Sequence, residues 1–200
     1  MPYPSKISPD AIRAAAIALL EAEGESTLTL RRIAKELGVV PNALYRHYKT
    51  RNALIAAIAD DVARQLLTRI DEALRRVKAR RQATDPASPV RTMVDVYAKF
   101  AWAHPALYQT LVTDTSNAEA DLRQPLGHQL LWMKGIEVLT PICGKAEAPL
   151  AAVSLWGLLH GMWALDRANF FGRQKPKNAQ AFAIETFISG LAKQNAALES

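Results

Sequence analysis

Apolar residues recur at spacings of three and four along almost the whole chain, which is the period of an amphipathic α-helix. No stretch alternates convincingly between apolar and polar residues in the manner of a β-strand. Prolines, glycines and short polar clusters divide the pattern into segments. We therefore predict an all-α fold with about nine helices, near residues 8–24, 29–37, 41–48, 51–80, 89–103, 105–113, 118–139, 146–170 and 178–195.

The first predicted helix has clear signals at both of its ends. Ser8 is a capping residue, Pro9 suits the first turn, Asp10 lies near the positive end of the helix, and Gly24 ends it. Its apolar side consists of Ile12, Ala15, Ala16, Leu19 and Leu20. We expect this helix to support the two that follow and to make no contacts to bases.

The stretch Thr29–Tyr48 predicts two short helices joined by a tight turn. Thr29 is placed to cap the first of them, and Gly38 follows its last apolar residue, where glycine tolerates a left-handed backbone. Pro41 suits the first turn of the next helix. The buried stripe of the first helix consists of Leu30, Ile33, Ala34 and Leu37. This is the pattern of a helix-turn-helix, in which Pro41–Tyr48 would enter the major groove of DNA.

A long helix follows, with an apolar residue at every fourth position: Leu54, Ile58, Val62, Leu66, Ile70 and Leu74. Over residues 51–80 it would be about 45 Å long. Its end carries Arg75, Arg76, Lys78, Arg80 and Arg81, which we interpret as a solvated helix end, with an extra DNA contact as the alternative. Residues 83–89 contain the clearest break in the chain. We predict a helix-turn-helix domain at 1–52 and a larger helical domain at 53–200, for effector binding and dimerisation.

The positive charge of the chain lies in its first part. Residues 1–81 carry 15 Lys and Arg against 9 Asp and Glu, whereas residues 82–200 carry 10 of each. A solvated surface explains any one of these cations, but their asymmetric distribution is typical of a phosphate-facing surface. No run approaches a membrane span and no apolar signal region is present, so we expect a cytoplasmic protein. Cys143 is single and lies among apolar residues, which predicts a buried thiol without a disulfide or a multi-cysteine metal site.

The residues around Leu44-Tyr45-Arg46-His47-Tyr48 resemble the DNA-binding domain of the TetR family of bacterial transcriptional regulators. The family pattern is G-V-S-x-x-x-L-Y-x-H-F, followed by a short turn and a lysine that opens the fourth helix. The resemblance extends from about Ser8 to Leu66 and is specific over Leu28–Leu54. Three positions depart from the pattern: Val40 replaces a hydroxyl residue that contacts phosphate, Arg51 replaces the lysine, and Asn52 replaces a common glutamate.

Chemistry and resemblance together assign the DNA contacts. Asn42 and Arg46 are the candidates for base edges, since amides pair with adenine and guanidinium groups with guanine. The candidates for phosphate contacts are Tyr45, His47, Tyr48, Lys49 and Arg51, with Thr29, Arg31 and Arg32 anchoring the preceding helix. The rings of both tyrosines are expected to pack inward with their hydroxyl groups outward, and Leu44 is expected to face the core.

The last two predicted helices are the candidates for a dimer surface, because a dimer places two recognition helices one turn of DNA apart on a palindrome. Gly157 and Gly161 are one turn apart and permit a close helix approach. A pair of helices from each subunit would form a four-helix bundle. The interface candidates are Leu150, Val153, Gly157, Gly161, Phe187, Ile188 and Leu191. The segments 97–108 and 156–161 also resemble the Trp-His-Gly branch of the TetR family.

Aromatic residues concentrate in the second half of the chain and admit two interpretations. They line an apolar cavity for a small effector, with a histidine as a polar contact, or they are core residues, which is the commoner role. For the histidines a satisfied buried imidazole is favoured, and His104 before Pro105 is expected in a turn. The pocket candidates are Phe100, Trp102, His104, Tyr108, Trp132, Trp156, His160 and Trp163. His128, Phe170 and Phe171 belong to the same wider group.

The sequence admits three functions. The first is a homodimeric, ligand-responsive regulator of transcription, a repressor by family resemblance, that binds a palindromic operator in double-stranded DNA and is released by a small effector. The second is a non-specific DNA-packaging protein, which the neutral, aromatic second half disfavours. The third is an enzyme, which is ranked last because the sequence contains no metal cluster, phosphate loop or nucleophile elbow. No cofactor and no membrane partner are expected.

Overall fold

The computed structural model describes residues 7–79, 85–112, 126–172 and 178–198. Within these ranges the regular structure is entirely helical, which confirms the predicted fold class. A short 3-10 helix at Glu25–Thr27 accompanies the α-helices, which are α1 (Pro9–Glu23), α2 (Leu30–Glu36), α3 (Pro41–Tyr45), α4 (Arg51–Ala79), α5 (Ser88–Ala103), α6 (Pro105–Thr110), α7 (Gly127–Arg167) and α8 (Ala179–Leu198).

The ends of α1 form as their sequence signals predict. The Ser8 hydroxyl accepts a hydrogen bond from the Ala11 amide at 3.1 Å, and Pro9 occupies the first turn. At the other end Gly24 has a positive φ of 81°, a conformation that favours glycine, and its amide donates to the Leu20 carbonyl. The chain can therefore leave α1 sharply and enter the 3-10 helix.

The first of two compact units combines Met1–Gln65 with Phe100–Gln129. Within it, α1 packs against α2 and α6, and α2 packs against α3. Its largest fully buried side chains include Ile12, Leu20, Leu28, Ile33, Leu44, Leu54, Ile55, Ile58 and Tyr108. Each such burial contributes about 1.5–3 kcal/mol, and helices as short as α2 and α3 owe their stability to this packing.

In the same unit, the start of α7 approaches the backbone of α4 closely at a glycine. A Cβ atom added to Gly127 would lie 2.6 Å from the Asp60 carbonyl oxygen and 2.8 Å from the Ala63 Cβ. The amide of Gly127 donates to the Asp60 carboxylate, which also accepts from Arg64 at 2.8 Å. A side chain at position 127 would therefore displace α7 from α4.

The second unit combines Leu66–Lys99 with Leu130–Ser200. Its buried residues include Val90, Met93, Tyr97, Leu139, Leu155, Leu159, Ile184 and Ile188. On its surface, Arg91 of α5 donates to both carboxylate oxygens of Glu185 on α8, at 2.6 and 2.7 Å, and also pairs with Asp85. The hydrogen bond from Arg91 lowers the pKa of the Glu185 carboxyl, and the pair joins α5 to α8.

Two predicted helices, 118–139 and 146–170, are continuous in α7 except for a kink. Gly144 has a non-helical backbone, with φ 77° and ψ 167°, at the break that the sequence predicts between them. Pro141, predicted as part of that break, lies inside the helix before it. The first residues predicted for the earlier helix, 118–125, lie outside the described ranges. Buried Cys143, beside the kink, donates to the Leu139 carbonyl oxygen, as expected of a structural thiol.

By length and composition alone, α7 is apolar enough to cross a membrane, which corrects the prediction that no run approaches a span. A single helix of this kind is a weak indication, because the core helix of a soluble protein satisfies the same criteria. The non-helical backbone at Gly144 interrupts the helix, and Pro141 and Pro149 lie on either side of it.

The fourth helix begins and runs as predicted. Leu54, Ile58, Val62, Leu66 and Ile70 are buried at the predicted four-residue spacing, together with Ile55 and Ala63, whereas Leu74 is half-buried. Near its end Arg75, Arg76 and Lys78 are exposed, and Arg76 pairs with Glu72 at 3.5 Å. The remaining two cations of the basic end, Arg80 and Arg81, lie outside the described residues.

Candidate DNA interface

The first helix of the motif, α2, is fixed by its cap and its buried face. The Thr29 hydroxyl accepts from the Arg32 amide at 3.1 Å, which confirms the predicted N-cap. Leu30, Ile33 and Ala34 are buried as predicted, whereas Leu37, the fourth residue of the predicted stripe, is half-buried. After α2, Gly38 adopts a φ of 65°, so the turn uses the left-handed backbone that a glycine permits. These features set the angle at which the chain enters α3.

The helix α3 presents a polar surface on a buried base. Leu44 is fully buried, as expected, while Asn42, Arg46 and His47 are exposed. Tyr45, whose ring the sequence predicts to pack inward, is 45% exposed. The structure therefore places the two candidate base contacts, Asn42 and Arg46, on the outside of the same short segment. Their exposed hydrogen-bonding groups are of the kind that pair with base edges in a major groove.

The N-terminal side of α3 differs from its polar surface. Val40 precedes Pro41 and is 69% exposed, and its side chain makes no capping hydrogen bond. The valine thus leaves the amides of the first turn without the side-chain oxygen that a serine or threonine would supply.

Two of the arginines predicted to contact phosphate are engaged inside the domain. Arg51 donates to the Leu28 carbonyl at 2.9 Å, and to the carbonyl and the carboxylate of Glu25, both at 3.0 Å. Arg32 pairs with Glu36 at 2.8 Å and with Glu23 at 2.7 Å, and these bonds raise the pKa of Arg32. Both side chains therefore hold local structure around α2.

The other predicted contacts, Thr29, Arg31 and Lys49, are exposed, whereas Tyr48 is buried. The ring of Tyr48 packs inward as expected, but its hydroxyl, predicted to face outward, accepts from Arg13 of α1 at 2.9 Å within the domain. Arg13 also contacts Asp10 and Asp61. Arg13 is not among the predicted residues, because Tyr48 and Asp61 lie 35 and 48 residues away and helical periodicity carries no signal of them.

The pocket candidates are divided between the two units. Phe100, Trp102, His104 and Tyr108 belong to the first unit, where Tyr108 is fully buried and Trp102 is 54% exposed. His104 precedes α6 and its Nδ1 lies 2.6 Å from the Glu21 carboxylate on α1. Trp132, Trp156, His160 and Trp163 belong to the second unit.

In the second unit, His160 and Trp156 cluster with Tyr97, which the set of pocket candidates omits. The Tyr97 hydroxyl lies 3.0 Å from His160 Nε2, and the ring centroids of Tyr97 and Trp156 are 5.0 Å apart. Burial lowers the pKa of His160 to about 4. The imidazole is therefore neutral at pH 7 and has one donor and one acceptor nitrogen, the chemistry of a satisfied histidine in an apolar environment.

The dimer candidates on α7 and α8 differ in exposure. Leu150 and Val153 are 63% and 60% exposed, and a Cβ added to Gly157 or Gly161 would meet nothing within 4 Å. These four residues lie on one open face of α7. On α8, Ile188 is buried inside its own unit, and Phe187 and Leu191 are half-buried. Phe182, by contrast, is 74% exposed.

Comparison with known families identifies the chain. Residues 12–58 match the model of the bacterial regulatory proteins of the TetR family, and residues 90–186 match the tetracyclin repressor-like C-terminal domain. Together the two models cover most of the sequence. The chain belongs to the TetR family. As a TetR-family protein with a helix-turn-helix domain, it is a transcriptional regulator.

Solved structures show the same fold over nearly the whole length of this TetR-family chain. A protein of unknown function from Rhodococcus sp. RHA1 is 22% identical, with 96% of this chain and 99% of that chain covered and a TM-score of 0.72. ActR from Streptomyces coelicolor is 17% identical, with 99% and 100% covered and a TM-score of 0.67. BioQ with its double-stranded DNA operator is 19% identical, with 94% and 99% covered and a TM-score of 0.65. The assignment to the Trp-His-Gly branch and the domain boundary at residue 52 stay predictions.

Proposed function

We propose that this TetR-family protein is a homodimeric repressor that binds a palindromic operator and is released from it by a small-molecule effector. The observation that carries the proposal is the exposed polar surface of α3 above a fully buried Leu44, in a chain whose positive charge lies in the same region. A segment of this kind fits the major groove of DNA. The membership of the chain in the TetR family indicates that this DNA binding regulates transcription.

The proposed contacts divide into two groups. Asn42 and Arg46 contact base edges and determine the sequence, while Tyr45, His47 and Lys49 contact phosphates and determine register and salt dependence. Arg31, which is exposed beside the Thr29 cap of α2, adds a phosphate contact. Arg32 and Arg51 are assigned mainly to local structure, because their guanidinium groups donate to Glu23, Glu25 and Glu36 and to main-chain carbonyls.

The exposed stripe on α7 is the proposed dimer surface. Leu150, Val153, Gly157 and Gly161 follow each other at helical spacing on one open face, while Leu155 and Leu159 are buried within the subunit. An apolar stripe of this kind is more stable when another helix covers it, and the two glycines permit close approach. A two-fold pairing through α7 and α8 would bury it and place two copies of α3 on the two half-sites of a palindrome.

The effector is proposed to bind near Tyr97, Trp156 and His160. This cluster combines apolar ring faces with a neutral imidazole and a phenol, which suits a small, largely apolar molecule with one polar group. Effector binding would favour an arrangement in which the two copies of α3 no longer match the spacing of the half-sites. The change would pass through α4, whose residues belong to both compact units.

The same assignment favours a cytoplasmic location and a regulator over an enzyme. A DNA-binding regulator works where the DNA is, and dimer formation accounts for the exposed apolar face of α7 without a bilayer. A packaging protein would need neither the aromatic cluster around His160 nor a second helical unit.

The decisive experiment is selection of bound fragments from a random pool of double-stranded DNA by the purified full-length chain. We expect one enriched palindrome, two bound subunits per fragment, and binding that survives an excess of unrelated DNA. A monomeric protein that enriches no sequence would refute the proposal. Adding candidate effectors to the complex then tests release separately, since an operator-binding protein that no effector displaces would refute only the ligand-responsive part.

A further inference from the structure

Arg13 connects three segments of the first unit through its three nitrogen atoms. Its Nη1 donates to the Tyr48 hydroxyl at 2.9 Å, its Nη2 donates to the Asp10 carboxylate at 2.6 Å, and its Nε donates to the Asp61 carboxylate. Asp10 lies on α1 itself, Asp61 lies on α4, and Tyr48 lies just beyond α3. Each of the three nitrogens of the guanidinium group thus has a partner, which a lysine could not reproduce in the same planar geometry.

Tyr48 transmits the position of Arg13 to the recognition helix. The residue is only 7% exposed, and its amide donates to the Leu44 carbonyl at 2.9 Å. Leu44 is fully buried on the inner side of α3. Any movement of Tyr48 would therefore shift the last turn of α3.

The charges around Arg13 argue against a direct role in binding DNA. Two carboxylates, those of Asp10 and Asp61, contact the single guanidinium group, so the local cluster has no excess positive charge. The Arg13 side chain is 23% exposed. Burial lowers the pKa of Arg13, but the bonds to Tyr48 and Asp61 outweigh it and raise the pKa above its ordinary value. The group is held firmly as a cation inside the domain.

We propose that Arg13 is a positioning residue for operator recognition, which sets the orientation of α3 relative to α1 and α4 through the Tyr48 hydroxyl without contacting DNA. This inference rests on the proposed function, since it concerns how the same interface selects its sequence. A misoriented α3 loses base contacts, which require strict hydrogen-bond geometry, but retains most of the electrostatic attraction to phosphates. The quantity that Arg13 controls is therefore the ratio of operator affinity to affinity for unrelated DNA.

The test uses Arg13→Met, Tyr48→Phe and the double variant in the full-length chain, at a temperature well below its melting transition. The palindrome enriched from the random pool, used as the operator duplex, and an unrelated duplex of equal length are titrated at the same salt concentration. We expect Arg13→Met and Tyr48→Phe each to lower the affinity ratio about tenfold, because both remove the same hydrogen bond to a charged group. If Arg13 acts through Tyr48, adding Tyr48→Phe to Arg13→Met lowers the ratio no further.

Arg91→Met is the matched control, because Arg91 also pairs with two carboxylates but lies in the second unit. It is expected to lower the melting temperature and leave the affinity ratio unchanged. An equal loss on both duplexes for Arg13→Met, or no change in the ratio, would overturn the inference. If Arg13→Met does not fold, Tyr48→Phe decides alone, since it removes only the hydroxyl oxygen that Arg13 contacts. A wild-type chain that prefers no duplex would instead refute the proposed function.

Discussion

Replacing Gly127 with alanine places a methyl group where α4 leaves no room for it. The added Cβ would lie 2.6 Å from the Asp60 carbonyl oxygen, 2.8 Å from the Ala63 Cβ and 3.2 Å from the Arg64 amide nitrogen. Two of these three atoms are main-chain atoms in the interior of α4, so they cannot rotate away as the end of a long side chain would. Relief requires that the start of α7 moves outward, which also stretches the hydrogen bond from the Gly127 amide to the Asp60 carboxylate.

The expected cost combines overpacking with a weakened hydrogen bond. Forcing an extra carbon into a well-packed contact destabilises proteins by about 1–3 kcal/mol, and a bond to a charged acceptor contributes about 1.5–3 kcal/mol, part of which is lost. We expect the free energy of unfolding to fall by about 2–4 kcal/mol. For a chain of this size, that corresponds to a melting temperature lower by about 4–16 °C. Urea titration and thermal unfolding, followed by circular dichroism, measure both quantities.

Gly135→Ala in the same helix is the matched control. A Cβ at Gly135 would lie 3.9 Å from the Ala152 Cβ, which is an ordinary van der Waals distance. Because alanine favours a helix interior over glycine, this variant should be more stable than the wild type by up to about 1 kcal/mol. Equal stabilities for Gly127→Ala and Gly135→Ala would refute the close approach of α7 and α4.

Three further predictions concern the interface, the dimer and pH. Arg46→Ala should change which bases are preferred, whereas Lys49→Ala should weaken binding to all sequences alike and reduce the salt dependence. Equal losses of affinity on every sequence for Arg46→Ala would show that Arg46 contacts phosphate and not a base edge. Val153→Asp should shift the protein from dimer to folded monomer in analytical ultracentrifugation and weaken operator binding, and an unchanged dimer would place the interface elsewhere. Burial lowers the pKa of His160 to about 4 in the folded chain, so as the pH falls the unfolded chain takes up the proton at a higher pH than the folded chain does. The free energy of unfolding is therefore retained above about pH 6.5 and falls between about pH 6.5 and 4. His160→Gln should reduce that fall in urea unfolding, and an identical pH profile would contradict the buried, neutral imidazole.

The elements predicted from sequence are those that depend on local chemistry. Ser8 and Thr29 cap their helices, and Gly38 turns the chain with a positive φ, because each of these effects involves atoms only a few residues apart. The inward direction of Leu44 follows equally from helical spacing. For the same reason the sequence predicts the break at Gly144. It does not predict how close to Gly144 the two flanking helical segments of α7 continue, because helix ends are the least local feature of the pattern.

The features that sequence missed depend on contacts between distant segments. Gly127 falls inside a predicted helix, where a glycine is merely unfavourable, and only the position of α4 reveals why a side chain is excluded. Arg51 has the same charge as the lysine that opens the fourth helix in the family pattern, yet its planar guanidinium group reaches two carbonyl groups that an ammonium group would not satisfy together. The predicted interface residue Ile188 is apolar and at helical spacing like Leu150, but packing buries the first and exposes the second.

The shortness of α3 links these observations to function. A helix of 5 residues with no side-chain cap cannot be stable by itself, so its geometry is imposed by what lies beneath it. The exposed side chains of α3 decide which bases are preferred, but the buried Leu44 and the bond between Tyr48 and Arg13 decide whether those side chains are presented correctly. Leu44→Ala should therefore weaken operator binding more than any single exposed substitution, even though Leu44 touches no DNA, because it releases the whole helix and not one contact. If Leu44→Ala destabilised the domain but kept normal operator affinity, α3 would have to become ordered on contact with DNA, and its packing against the rest of the domain would not be needed for recognition.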